Sequence, residues 1–280
     1  MIKADTDKRA ANEARSGSAA STLGVIGGLG PMATARFYET IVQMTKADTD
    51  QQHLSVYISS RPDTPDRTAH IIDPQQPDPA VYMIEAGRQL IHMGADYLAI
   101  PCVTAHHYFN RLQMALTKPL ISLTDQTMRY LSERNIRRIG VLATDGTLSG
   151  RIFQDACETA GIQCLVPDRE TQADVMHLIY NCLKTDRPFG VEEQTLFLRA
   201  AEKLLSQGAE CVLLGCTELS LASQNCQPET HCINVMAILA AACVTACGAS
   251  LRDDYQRLIE PGWSDKAYDH RPYIFEELAK

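Results

Sequence analysis

Short apolar runs alternate along this chain with longer stretches whose apolar residues recur at helical spacing. The runs predict strands at Thr22–Ile26, Ser55–Ser59, Tyr97–Pro101 and Leu120–Ser122, then at Arg138–Ala143, Gln163–Leu165, Cys211–Gly215 and His231–Asn234. They lack polar/apolar alternation, the pattern of strands covered on both faces. Ala80–Met93 and Glu192–Gln207 carry the helical period, and each stops at a glycine, Gly94 or Gly208, placed as a C-terminal cap. This alternation predicts parallel α/β sheets, which collect ligands at the carboxyl ends of their strands.

The pattern occurs twice. Gly94-Ala95-Asp96 through Cys102 returns as Gly208-Ala209-Glu210 through Cys216, and Leu23-Gly24-Val25-Ile26 is echoed by Ile139-Gly140-Val141-Leu142. The expected architecture is two pseudo-symmetric α/β lobes, each a mostly parallel sheet flanked by helices, with the site in the cleft between them. The divisions are a disordered tail over 1–21, lobe 1 over 22–122 with a returning C-terminal helix packed on it, lobe 2 over 123–248, and an exposed extension over 249–280.

The duplication ends each buried strand on a thiol. A lone buried cysteine is more often a small apolar residue than a reactive one, but Cys102 and Cys216 occupy matched positions. Each precedes an expected helix N-terminus, where Thr104 or Thr217 can cap and where backbone N–H groups can stabilise a thiolate or hold a carboxylate. Opposed across a pseudo-two-fold axis, one thiolate can act as base and the other thiol as acid.

Composition narrows the class without choosing the chemistry. A net charge of −8 leaves no nucleic-acid footprint or polybasic membrane surface, and no apolar run is long enough to span a bilayer. The ten cysteines are scattered, unlike a secreted disulfide scaffold, which points to a reducing cytoplasm. An acidic chain that binds an acid needs local cations.

Gly27-Gly28-Leu29-Gly30-Pro31-Met32-Ala33-Thr34, Pro101-Cys102-Val103-Thr104-Ala105-His106 and Gly215-Cys216-Thr217-Glu218 together resemble the aspartate/glutamate racemase family, in its aspartate racemase branch, over Leu23 to Ala246. The resemblance implies cofactor-independent racemisation at Cα, with Cys102 and Cys216 working from opposite faces. Pro65-Asp66-Arg67-Thr68-Ala69-His70-Ile71 and the segment from Val175 to Lys184 are similar to that branch's pattern, which implies that Arg67 and Lys184 engage a side-chain carboxylate. A guanidinium grips a carboxylate in bidentate fashion and an ammonium adds a point charge. Thr144 and Thr147, in the loop after Arg138–Ala143, resemble substrate-holding threonines, and Thr104 and Thr217 join that set. His106 and Glu218 are candidates to orient the thiols. Val103 stands where the family motif usually has Asn, removing an amide that could bind the amino acid. The implied partner is a small dicarboxylic amino acid, handled by a homodimer.

Three rivals remain on sequence grounds. Gly28-Leu29-Gly30-Pro31-Met32-Ala33 satisfies the loose dinucleotide fingerprint, with Asp48 and Asp50 near the expected place of a ribose-binding acid, which would make an NAD-dependent oxidoreductase. Pro31 removes an N–H from that turn, and the matched cysteines go unexplained. A broader aspartate/glutamate racemase and a non-catalytic dicarboxylate-binding protein are the others.

Overall fold

All five residues of β1 (Leu23–Gly27) are buried, as an apolar run without polar alternation requires of a central strand. The computed structural model describes residues 21–184, 190–220 and 231–260. In it, β1 lies between β2 (Val56–Ser60) and β3 (Tyr97–Ala99) in a parallel sheet of order β2-β1-β3. The second sheet is also parallel. Its order is β5-β4-β6-β7, from β4 (Arg138–Ala143), β5 (Gln163–Leu165), β6 (Cys211–Gly215) and β7 (Cys232–Asn234).

The strand expected at Leu120–Ser122 shrinks to one parallel bridge from Leu98 to Leu120. Ser122 is drawn out of the sheet because its side chain caps the next helix, accepting from the Asp125 N–H. With the bridge counted, the two sheets have the same strand order. β3 stops before Pro101, which has no N–H to give the ladder. β2 is only partly covered, with Ile58 at 40% exposure, because it forms the sheet's outer edge.

Helices α1 (Pro31–Met44), α2 (Arg67–Ile72), α3 (Pro79–His92), α4 (Phe109–Ala115) and α5 (Leu123–Glu133) surround the first sheet or follow it. In the second half come α6 (Asp145–Ser149), α7 (Ile152–Ala160), α8 (Arg169–His177) and α9 (Val191–Ser206). The expected helices match α3 and α9, and Gly94 and Gly208 follow them at φ +105° and +97°, a backbone that L side chains rarely adopt. The echoed glycines serve one packing motif. A Cβ on Gly24 would lie 3.1 Å from the Leu90 Cβ, and one on Gly140 would lie 2.8 Å from the Leu204 Cβ. Leu90 and Leu204 each stand four residues before the capping glycine, so helix meets strand at equivalent points in both halves.

The joint between the halves is α10 (Val235–Ala246). Eleven of its twelve residues are buried, and it packs against α1, α5, β3 and β6. The returning helix expected on lobe 1 packs there, on α1 and β3, and also against α5 and β6, because an element apolar on every side has no face to give to water. Leu23, Val25 and Phe37 therefore share one core cluster with Val141, Leu213 and Ile238. The opposite sheet faces have separate clusters, Ile26, Met83 and Leu90 in one half, Leu142, Phe197 and Leu204 in the other.

The segment expected as an exposed extension packs from its start. Leu251 bridges to Thr45, Arg252 donates its N–H to the Met44 carbonyl at 2.8 Å, and α11 (Gln256–Ile259) buries Ile259. Glu260 is 7% exposed, ion-paired to Arg134 at 3.0 Å and accepting from the Tyr130 hydroxyl. Tyr255, Ile259 and Glu260 are buried while Arg252, Asp253, Asp254 and Arg257 stay exposed, so the stretch is anchored by its apolar residues and one ion pair. The tail over 1–20 and residues 261–280 lie outside the described residues. None of the helices described is long and apolar enough to cross a membrane.

Two stability outcomes follow. Glu260→Ala strands a buried guanidinium, so denaturant unfolding should show a loss of about 3 kcal/mol. Gly146, in α6, faces α2 across the cleft, where an added Cβ would lie 2.7 Å from the Thr68 Cα. Gly146→Ala should therefore cost about 1–3 kcal/mol as a lowered Tm, and an unchanged Tm would show that the two helices part freely.

Candidate active site

Cys102 lies three residues beyond β3 and Cys216 directly after β6, at the carboxyl ends of equivalent strands. They are 9% and 7% exposed and line the same small cavity. Arg67, Val103, Thr104, Thr144, Lys184, Thr217 and Glu218 line it too. Neither Thr147, a candidate substrate contact, nor His106, a candidate to orient a thiol, is on its wall. Thr147 is fully buried behind it, and His106 packs against Phe109.

Three hydroxyls join the lobes at the cavity floor. Thr104 Oγ1 lies 3.0 Å from both Thr144 Oγ1 and Thr147 Oγ1, which are 3.1 Å from each other. Thr144 also caps α6 by accepting from the Thr147 N–H. Thr104 caps nothing: it opens a 3-10 turn, Thr104–Tyr108, whose N-cap is Val103. Thr104 therefore does not cap the turn after Cys102 as expected and bridges the lobes instead. Val103 is 2% exposed and joins the inter-lobe core, so the position where an amide was expected is used for packing.

His106 Nε2 is 3.2 Å from the Ile100 carbonyl, which can only accept, so Nε2 carries the proton. Its Nδ1 is buried without a partner. Burial lowers its pKa to about 4, so the ring is neutral near pH 7. It braces the backbone two residues before Cys102 and does not touch the sulfur's cavity.

The cations differ in how they are held. Arg67 opens α2 beside its cap, Asp66, which accepts from the Ala69 N–H. Its Nη1 donates to the carbonyls of Thr64 and Pro65 at 3.3 and 3.1 Å, and Nη2 to the Leu29 carbonyl at 2.5 Å. Of five guanidinium N–H groups, three are committed, and Nε is buried with no partner. A buried charged donor left unpaired is costly, and an anion would relieve it. Lys184 lays its Nζ 3.9 Å over the Tyr180 ring. Burial would lower its pKa, but the nearby Glu218 carboxylate, then Cys216, Tyr180 and Cys102, outweigh this and leave it raised, so Lys184 is an ammonium.

The Cys216 thiol donates to Glu218 Oε2 at 2.8 Å. Burial, then the charge and hydrogen bond of Glu218, push its pKa well above the ordinary thiol value, with Lys184 opposing. Cys216 therefore rests as a thiol, a loaded acid.

The cavity at the sulfurs holds about 20 Å³, space for a single water. A cavity of about 410 Å³, large enough for a small molecule, adjoins it and shares Leu29, Arg67, Lys184, Thr217 and Glu218 as lining. An amino acid that reaches the thiols has to pass or part those five. Tyr180 and Thr68, 3.4 Å apart across the cleft, also line the inner cavity and were not singled out in sequence. Tyr180 precedes Lys184 by one helical turn, a signal that the ring could carry the ammonium.

The glycine-rich loop is shaped by the protein's own packing. The Gly28 N–H donates to Thr34 Oγ1 at 2.9 Å, and a Cβ on Gly28 would sit 2.1 Å from the Arg61 backbone nitrogen. The amide that a pyrophosphate would need is already committed, so the glycines do not indicate a dinucleotide.

Comparison with known proteins agrees with this arrangement. The family described as Asp/Glu/hydantoin racemase matches residues 26–243. A broad-specificity amino-acid racemase, RacX, of Bacillus subtilis (strain 168) is 25% identical over 229 residues, covering 80% of this chain and 96% of the relative. The aspartate racemase of Picrophilus torridus superposes with a TM-score of 0.70 at 24% identity, covering 84% of this chain and 98% of its own. An aspartate racemase homologue from Pyrococcus horikoshii OT3 gives 0.66 at 21%, covering 81% and 99%. The matched length, the duplicated sheets and the paired strand-end cysteines lead to one conclusion: this chain belongs to the Asp/Glu/hydantoin racemase family.

Proposed function

We propose that this protein interconverts L- and D-aspartate without a cofactor, passing protons between Cα and two thiols. The observation that carries the reading is that Cys102 and Cys216, one from each lobe, line a single cavity together with Arg67 and Lys184. In one direction the Cys102 thiolate removes the Cα proton and the Cys216 thiol delivers its own to the opposite face. The Cα–H bond breaks on one side, a new one forms on the other, and the negative charge moves from Cys102 to Cys216. In the reverse direction the roles exchange.

The remaining groups position the substrate. Arg67, which lines the cavity and keeps an unpartnered Nε–H, donates to the side-chain carboxylate, and Lys184 adds a second positive charge. Such fixed charges cost no reorganisation as the carbanion forms. The Thr104 and Thr144 hydroxyls and Thr217 offer hydrogen bonds to the α-carboxylate and α-ammonium, with Thr147 holding the first two in place. Val103 offers only an apolar wall, so recognition rests more heavily on the cations.

A second reading has its own support. Val103 removes a specific polar contact, and the relative RacX is named as a broad-specificity racemase. On this reading Arg67 and Lys184 favour an acidic side chain without requiring one.

Incubation in D₂O with aspartate, glutamate and neutral amino acids separates the readings. Deuterium at Cα with loss of optical activity on aspartate supports racemisation. Comparable rates on neutral amino acids support the broad reading, and binding without exchange makes the protein a dicarboxylate binder. Cys102→Ser and Cys216→Ser should each abolish racemisation, each retaining at most Cα exchange of one enantiomer. Full activity in either would remove the two-thiol scheme. Arg67→Ala should raise the KM for aspartate by about tenfold to a hundredfold, the value of a charged hydrogen bond, with little change for Val103→Ala. Equal effects would place the side-chain carboxylate elsewhere.

A further inference from the structure

We propose that Glu218 is a proton relay that reloads Cys216 from solvent between turnovers, a role that rests on the racemase reading and extends it. A two-thiol racemase finishes each turnover with its protons exchanged: Cys102 holds one and Cys216 has lost one. Before the same enantiomer can react again, Cys216 has to gain a proton and Cys102 has to lose one. Both sulfurs are largely buried, and Cys216, 7% exposed, differs from Cys102 in having a carboxylate bonded to its thiol that can carry a proton to it.

Glu218 is placed for this task. One of its oxygens accepts from the Cys216 thiol at 2.8 Å. The residue lines both the inner cavity at the sulfurs and the outer cavity of about 410 Å³. Its Oε1 lies near Gly30, 3.3 Å from where a Cβ there would sit, on the outer cavity's wall. The other carboxylate lining the inner cavity, Asp66, is committed to capping α2 through the Ala69 N–H. At the position matching Glu218, two residues after Cys102, stands Thr104, a neutral hydroxyl bound to Thr144 and Thr147. The relay thus serves one sulfur.

The step balances. After turnover the Glu218 carboxylate takes a proton from a hydronium ion in the outer cavity, releasing water, and passes it to the Cys216 thiolate, which restores carboxylate and thiol, while the Cys102 thiol gives its extra proton to water. The lifted pKa of Cys216 accords with a thiolate that recovers its proton readily. Glu218 acts through Cys216 and is a positioning residue, not a group that meets substrate.

Kinetics on Glu218→Gln and Glu218→Ala, with wild type alongside and thermal melts to check folding, test the idea. Glu218→Gln keeps an acceptor for the thiol but cannot carry a proton. Reloading concerns the free enzyme after product leaves, so kcat should fall by about a hundredfold while kcat/KM stays within about threefold. Added formate should restore kcat in Glu218→Ala by supplying a mobile carboxylic acid. A parallel fall in kcat and kcat/KM, an unchanged kcat, or no rescue by formate would overturn the relay. Wild type inactive on every amino acid tried removes the racemase reading itself, whereas an active wild type with an indifferent Glu218→Gln removes only the relay.

Discussion

Helix α10 has no polar face, and the geometry of the cleft depends on that fact. An element apolar on all sides has to be covered on all sides, and here the cover comes from both lobes, with α1 and β3 on one flank and α5 and β6 on the other. The two inner sheet faces are therefore parts of one close-packed core, and such cores resist deformation. The carboxyl ends of β3 and β6 are held in fixed relation, and Cys102 and Cys216 with them. A pair of thiols on independently moving domains would have no dependable spacing; a pair hung from one core does.

The same core limits where the site can open. The cavity at the sulfurs has space for about one water, so a substrate needs room made for it. Hinging about α10 would tear apart buried apolar surface. At the outer cavity the Tyr180 hydroxyl bonds Thr68 across the cleft, while Arg67 binds the Leu29 carbonyl and Lys184 rests on Tyr180 each within its own lobe. Each involves one or two polar contacts, worth about 1 kcal/mol apiece in net terms. The outer cavity adjoins the sulfurs' cavity at Leu29, Arg67 and Lys184.

Legibility followed the repeat. β4, β5 and β6 match their expected bounds residue for residue because an apolar run bounded by glycines or charges leaves little choice of register. Both cysteines could be placed at strand ends for the same reason. What escaped depended on partners distant in sequence. Val235–Ala246 is plainly apolar, yet only the three-dimensional structure shows that both lobes share it. Tyr255, Ile259 and Glu260 looked like an exposed polar tail because the Arg134 and Tyr130 that receive Glu260 lie more than a hundred residues earlier. Thr147, which resembles a substrate-holding threonine, lies behind the wall, and His106, a candidate only to orient a thiol, lies behind it too. The bond from Cys216 to Glu218 is legible only as a two-residue spacing, which does not by itself say which way a side chain turns.

The pseudo-symmetry of the fold stops at the thiols. Cys102 is followed two residues later by a hydroxyl tied into a threonine triangle, and Cys216 by a carboxylate that accepts its proton. That difference does not conflict with a reaction whose two directions are mirror images. The equilibrium constant of a racemisation is one, so kcat/KM has to be equal for the two enantiomers whatever surrounds each sulfur. Individual kcat and KM values carry no such constraint, and uneven stabilisation of the two protonation states shows up there. On the proposed two-thiol scheme, a thiol held protonated by Glu218 favours the enzyme form that delivers from the Cys216 side. That form meets one enantiomer ready to react and the other only after its protons have been redistributed. The repeat thus accounts for a sulfur after each of two equivalent strands, and their unlike neighbours account for which of them is held protonated.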